Sequence, residues 1–323
     1  MRPVLLALRA LGIGDLATVV PALRGLRRAY PRHNLVLAAP PALASLVAAT
    51  RAVDRVLATP AYVRSPITAL RWTGPRPDLA VNLHGLGPHS HLALLGTDPL
   101  RLVAYANPAA GWPDGPQWRE SEHEVVRWCR MLHWHGIGAE PDDLALEPPP
   151  PVSDWAGAVV VHPGASGPER RWPLARYAAL ASRFAAHGHR VLVSGSPTEA
   201  GDVQALAARA GLPPRAVLAG RTDVGALAAL VAHARLVVCG DTGVAHLATA
   251  YGTRSVVLFG PMSPVKWGPP PDRPRHTPLW HGPDGLAEIT VDEVWSAATP
   301  HLEASDDRDK HSGAEGLDPA PAR

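Results

Sequence analysis

Leu236-Val237-Val238-Cys239-Gly240-Asp241-Thr242-Gly243-Val244-Ala245-His246-Leu247-Ala248-Thr249-Ala250 reads as a strand, a turn and a helix in one stretch. Apolar residues come first. Two glycines, a carboxylate and a hydroxyl make the turn, and a helix carries His246 into its second turn. Strand, turn and helix in this order are the unit of a parallel α/β sheet, whose ligands sit at the carboxyl ends of the strands. A helix start offers unpaired N–H groups and a partial positive charge, so Thr242, Gly243 and Val244 point to an anion. Asp241 must then face something else, such as sugar hydroxyls. His246 alone reads as structural; beside Asp241 and Thr242 it reads equally as a ligand group.

The same alternation extends in both directions. Upstream in the second half, Ala158–Val161 and Arg190–Val193 read as strands, with helices over Pro173–His187, Glu199–Ala210 and Val224–His233. Ala216–Leu218 reads as a short strand. Downstream come the strand Ser255–Leu258 and a short helix over Val291–Ala298. The first half repeats the pattern: strands Val4–Leu8, Leu35–Ala38, Val53–Leu57, Leu79–Leu83 and Leu100–Ala104, with helices over Leu16–Tyr30, Pro41–Ala49 and Glu120–His135. Pro148-Pro149-Pro150-Pro151 interrupts it, since such a run fits neither helix nor central strand. The expected organisation is a Rossmann-like domain over 1–147, a linker over 148–157, a second Rossmann-like domain over 158–302 and a disordered tail over 303–323. The fold class is α/β, with two parallel sheets facing a central cleft.

Of 323 residues, 46% are hydrophobic, enough for two cores, and the formal net charge is only +2. That balance argues against nucleic acid and against more than a peripheral membrane association. Cys129 and Cys239 lie far apart in apolar surroundings and read as buried free thiols. Arg2 followed by an apolar run imitates a signal peptide. The run is short, contains Arg9 and leads into Gly12-Ile13-Gly14-Asp15, so it reads as the first core strand. No apolar segment is long enough to span a bilayer. A cytoplasmic monomer is the expectation.

Four strand-to-helix loops carry the chemistry. In the first, Gly12, Gly14 and Ala17 satisfy a dinucleotide fingerprint, yet Leu35–Ala39 runs into Pro40 and Pro41 where the ribose-binding acid belongs. The oxidoreductase reading recedes. Gly14 then serves a tight turn, and Asp15 is either a general base at the cleft or an acid serving its own helix start. In the second, His162-Pro163-Gly164-Ala165-Ser166-Gly167-Pro168-Glu169-Arg170-Arg171-Trp172-Pro173, Ser166 offers a hydroxyl. Arg170 and Arg171 offer forked donors suited to a diphosphate, or are solvated arginines. In the third, Glu199 of Ser194-Gly195-Ser196-Pro197-Thr198-Glu199 either complements a helix dipole or accepts a ribose diol. The fourth is the Asp241 turn. Phe259-Gly260-Pro261 lines the same cleft, and His84 of Asn82-Leu83-His84-Gly85 faces it from the other side. Acidic pairs with metal-ligand spacing are missing outside the tail, where Asp307-Arg308-Asp309 is discounted. No metal is therefore expected, and leaving-group stabilisation falls to Arg and a helix end.

These loops, in this order, resemble glycosyltransferase family 9, the heptosyltransferases of lipopolysaccharide core assembly. Arg9-Ala10-Leu11-Gly12-Ile13-Gly14-Asp15 with Pro21-Ala22-Leu23 is similar to the family's opening signature. His162–Ser166 with Arg171-Trp172-Pro173 is similar to its phosphate loop. Asp241–Ala248 with Phe259-Gly260-Pro261 is similar to its most specific block. The resemblance implies a GT-B fold, an acceptor on the first domain, an ADP-sugar such as ADP-heptose on the second, and inversion without metal. It implies Asp15 as base, Arg170 in place of the usual Lys at the diphosphate, Ser166 on a phosphate and Glu199 on the ribose. It places Thr222 near the nucleobase, Asp241 on sugar hydroxyls, and the amides of Thr242, Gly243 and Val244 near the phosphates. Two rivals stand: a non-catalytic nucleotide-sugar binder of the same fold and, more remotely, an NAD-dependent oxidoreductase.

Overall fold

Strand β1 (Val4–Leu8) is buried at every residue and apolar on both faces, as the centre of a parallel sheet covered by helices requires. It is the middle of a five-stranded sheet with β2 (Asn34–Ala39), β3 (Arg55–Ala58), β4 (Leu79–Asn82) and β5 (Leu102–Val103), in the order β3-β2-β1-β4-β5. Its helices are α1 (Ile13–Thr18), α2 (Val20–Ala29), α3 (Ala44–Ala49), α4 (His89–Leu95) and α5 (Glu124–Trp134). The second half builds β6 (Val159–His162), β7 (Val191–Val193), β8 (Leu236–Gly240), β9 (Ser255–Leu258) and β10 (His276–Leu279) into the order β10-β9-β8-β6-β7. Its helices are α6 (Leu174–Ala186), α7 (Ala200–Arg209), α8 (Val224–Ala232), α9 (Gly243–Tyr251), α10 (Pro264–Trp267) and α11 (Val291–Glu303). This computed structural model describes residues 2–62 and 65–304. Every strand pair in both sheets is parallel.

Each sheet reverses its winding once, between β1 and β4 in the first and between β6 and β8 in the second. Such a reversal leaves a crevice outside the strand ends, because the two flanking connections leave in opposite directions. The loop after β1 thus lies beside that after β4, and the loop after β6 beside the turn after β8.

Several elements differ from the sequence reading. The helix expected over Leu16–Tyr30 is two helices: Val19 closes α1, and Pro21 stands in the first turn of α2, where its missing N–H is harmless. The strand expected at Ala216–Leu218 is a 3-10 turn over Pro214–Ala216 followed by a single bridge from Val217 to Val193. The sequence reading contains neither α4, α10 nor β10; β10 is an edge strand, which is why it tolerates Pro278. Helix α11 continues past Ala298 to Glu303. The rest of the expected tail, from 305, lies outside the described residues.

Each sheet buries a core of its own on one face, and the two sheets share a third. One apolar cluster joins Leu5, Leu23 and Trp128 of the first half to Leu230, Val237, Val244 and Leu247 of the second. The segment leading to the proline run takes part, since the Leu146 amide donates to the Ala250 carbonyl at 3.0 Å. Among the described residues no helix is long and apolar enough to cross a membrane.

Candidate functional site

The second-half crevice brings the two diagnostic loops together. Arg170 ends a 3-10 turn that begins at Pro168. Its Nη1 donates to Ser166 Oγ at 3.0 Å, and its Nη2 donates to the Asp241 carbonyl at 3.1 Å and also to the Asp241 carboxylate. Asp241 is 6% exposed and Arg170 27%, so the pair is shielded on the carboxylate side and open on the guanidinium side. Thr242 is the N-cap of α9, its hydroxyl accepting from the Val244 amide at 3.3 Å. Ser166, Arg170, Asp241 and the start of α9 therefore form one patch.

Glu199 belongs to the neighbouring loop. Its Oε2 accepts from the Ser196 amide and hydroxyl, both at 2.8 Å, as a capping box. Its carboxylate lies against Gly164, where an added Cβ would stand 2.5 Å from Oε1. Burial opposes its charge, but the two Ser196 hydrogen bonds, with His162 and Arg171 nearby, hold its carboxyl below the usual range. Arg171 Nη2 is 3.8 Å from Glu199 Oε1. His162, facing Ser194 at 3.0 Å, is pushed down to about 4 by burial, with Glu199 pulling the other way. Thr222 precedes Asp223, the N-cap of α8, on a loop that rests on the Ser196–Glu199 side: a Cβ on Gly220 would lie 3.4 Å from Pro197 Cα. Among the described residues Thr222 has no hydrogen bond to the Arg170 patch.

In the first-half crevice, Asp15 sits in the first turn of α1, and its Oδ2 accepts from the Gly12 amide at 3.1 Å. The helix-start role and an open carboxylate coexist, since the side chain is 28% exposed. Its other oxygen accepts from Arg9 Nη2 at 3.1 Å. His84 Nδ1 accepts from the Ala10 amide at 3.2 Å, so its remaining proton is on Nε2. Burial lowers its pKa to about 4, helped by Arg9 and opposed by Asp15.

The halves meet where α1 and α9 begin. A Cβ on Gly14 would fall 2.7 Å from His246 Cδ2, and one on Gly243 would fall 2.8 Å from Ile13 Cβ. Both glycines are there because two helix starts approach more closely than side chains allow. His246 packs edge-on to Trp267, with ring centroids 5.8 Å apart. Burial lowers its pKa, against the pull of Asp241 and then Asp15. Alongside, His123 caps α5 through Nδ1, and its Nε2 donates to the Gly268 carbonyl at 2.9 Å, a direct bond between halves.

Asp15, Gly14, His246 and the Asp241–Val244 turn are brought together, with Ser166 and Arg170 adjoining through Asp241. Glu199, Arg171 and Thr222 form the far end of the second-half loops, and His84 lies behind Asp15. Sequence reasoning gave no role to Arg9, Glu124 or His123. A signal existed for Arg9, since an Arg at the end of an all-apolar strand must be buried with partners. None existed for His123, whose partner is a carbonyl 145 residues away. Among the described residues no group of three or more His, Cys, Asp or Glu is placed to hold a metal ion.

Residues 150–283 match the model of glycosyltransferase family 9 (heptosyltransferase). The second half of the chain is thus similar to glycosyltransferase family 9. Over 113 residues it is 31% identical to lipopolysaccharide heptosyltransferase 3 of Escherichia coli, an alignment covering 34% of this chain and 33% of that enzyme. The chain thus spans about a third of the length of the curated relatives it matches. Its fold is shared more widely. The structure of the E. coli ADP-heptose LPS heptosyltransferase II is 21% identical, with a TM-score of 0.74, covering 93% of this chain and 98% of that one. The family 9 glycosyl transferase of Veillonella parvula is 19% identical, with a TM-score of 0.76 and coverages of 94% and 98%. The architecture is GT-B, and the family 9 match falls on the half that carries Arg170, Glu199 and Asp241.

Proposed function

We propose that this protein is an inverting, metal-independent glycosyltransferase. It moves a sugar, heptose in the first instance, from an ADP-activated donor to a hydroxyl of a glycan or metabolite. The observation that carries the reading is the close approach of Gly14, next to Asp15, to Gly243, two residues from Asp241, across the α1–α9 contact. A base and a diphosphate-binding cation on opposite walls are what single-displacement transfer needs.

In this reading the domain over 1–147 holds the acceptor and that over 158–302 the donor, joined by 148–157. Asp15 takes the proton of the acceptor hydroxyl as its oxygen attacks the anomeric carbon. The bond to the diphosphate breaks on the opposite face. Arg170, Ser166 and the start of α9 at Thr242, Gly243 and Val244 stabilise the departing ADP. Asp241 accepts from sugar hydroxyls beside His246, Glu199 accepts from the ribose, Arg171 adds charge near it, and Thr222 borders the base. Gly14 and His84 shape the acceptor wall. The protein works in the cytoplasm as a monomer, at most peripherally on a membrane.

The test is release of ADP, with formation of glycosylated product, from ADP-heptose and a panel of hydroxyl acceptors. Asp15→Ala should lower turnover by about a hundredfold to ten-thousandfold, the usual worth of a general base, while ADP binds within twofold of native. Full activity in that variant sinks the base assignment, and ADP binding without turnover of any acceptor sinks the transferase reading.

A further inference from the structure

Arg9 is 1% exposed, yet its guanidinium meets five acceptors from three parts of the first half. Nε donates to the Asp15 carbonyl at 2.9 Å, and Nη1 donates to the Leu83 carbonyl at 2.7 Å. Nη2 donates to Asp15 Oδ1 at 3.1 Å, to Glu124 Oε1 at 3.0 Å and to Thr18 Oγ1 at 3.4 Å. The plane stacks over Trp128, 5.0 Å from the ring centroid. Glu124 is fixed in turn by Arg127 and by Trp128 Nε1 at 2.8 Å. Its carboxyl is buried, which opposes its charge, and Arg9 and Arg127 overcome that to hold its pKa below the usual range.

We propose that Arg9 is a positioning residue for Asp15, fixing the carboxylate that faces the acceptor by gripping both its side chain and its backbone. The inference rests on the transferase reading above. A carboxylate oxygen can accept two hydrogen bonds. With Arg9 on Oδ1 and the Gly12 amide on Oδ2, each oxygen keeps one site for the substrate hydroxyl. Reacting groups must be held to within about 0.5 Å, and an error near 1 Å costs about a hundredfold in rate. The Leu83 bond extends the same grip to the strand end that bears His84. A purely structural buried ion pair would need only Glu124; the two contacts to Asp15 are what a positioning role adds.

The test is Arg9→Lys, which keeps the buried charge while offering one ammonium to five scattered acceptors. Turnover should fall about tenfold to a hundredfold. The dissociation constant for ADP, read by calorimetry, and the KM for the donor should stay within twofold. In an Asp15→Asn background the same change should have no further effect on residual turnover. Glu124→Gln, which loosens Arg9 without removing it, should give a smaller loss of turnover and serves if Arg9→Lys does not fold. Turnover within twofold of native in the folded variant, or a full additive loss in the Asp15→Asn background, overturns the proposal. Independently of turnover, the ¹³C NMR signal of the Asp15 carboxyl, assigned by its loss in Asp15→Asn, should move in Arg9→Lys. An unmoved signal overturns the positioning role. A moved signal in a protein that transfers no sugar supports the Arg9–Asp15 coupling and counts against the transferase reading alone.

Discussion

Arg170 donates to both the carboxylate and the backbone carbonyl of Asp241, so one guanidinium ties the loop after β6 to the turn after β8. The diphosphate and sugar ends of the proposed donor site are therefore mechanically linked. Arg170→Ala should weaken ADP binding about tenfold to a hundredfold, the worth of one or two charge-assisted hydrogen bonds. Arg170→Lys should fall between, since it keeps the charge but not the fork. Isothermal titration with ADP reads both, and unchanged affinity in Arg170→Ala would remove Arg170 from the site.

Gly243→Ala tests the contact between halves. Ala favours helices over Gly by about 1 kcal/mol, so propensity alone predicts a gain. The new Cβ, however, would stand 2.8 Å from Ile13 Cβ and 3.1 Å from the Gly14 amide nitrogen. Overpacking of this kind costs about 1–3 kcal/mol. The variant should melt several degrees lower and lose transfer, because Asp15 and Asp241 are pushed apart. Gly14→Ala should be milder, since the His246 ring it meets can swing aside. Thermal unfolding of the two variants checks the order.

Glu199 carries a pH signature. Its folded pKa is depressed, so its contribution to stability is present above the unfolded value of about 4.5 and is lost as pH falls through the folded value. Glu199→Gln should remove that part of the acid loss. Melting temperatures across pH 3 to 6 should fall less steeply in the variant than in the native protein. The same change should weaken ADP binding more than binding of inorganic pyrophosphate, because only ADP has a ribose.

Histidines dominate the range above. His162, His84 and His276 are each lowered from 6.5 to about 4, chiefly by burial. Folding therefore favours their neutral forms: their stabilisation is complete above about pH 6.5 and is lost as pH falls toward 4, where the unfolded chain takes up protons the native one refuses. At about 1.4 kcal/mol per pKa unit, His162 alone accounts for about 3 kcal/mol across that window. His162→Gln should flatten the decline in unfolding free energy between pH 6.5 and 4, measured by urea titration.

The sequence conveyed the sheets well, because central parallel strands such as Val4–Leu8 and Leu236–Gly240 are continuous apolar runs followed by glycine turns. It conveyed the margins poorly. The 3-10 turn before Val217 and the edge strand β10 depend on what lies beside them, and short segments with proline do not reveal that. The loops holding Asp15, Arg170, Glu199 and Asp241 were legible as strand ends. Their mutual distances were not. The Arg170–Asp241 pair spans 71 residues and the Arg9–Glu124 pair 115, separations that leave no local pattern. His246 changes meaning most, from a lone imidazole in a helix to a ring packed against Gly14 of the facing helix start and against Trp267.

The shared apolar cluster has a mechanical consequence. Leu23, Trp128, Val237 and Leu247 shed water together, so the halves are not two bodies on a string. Severing the chain between Pro148 and Pro151 should leave two pieces that co-migrate in gel filtration and melt in one transition. Any movement of one half against the other has to be accommodated where α1 meets α9, at the facing glycines Gly14 and Gly243.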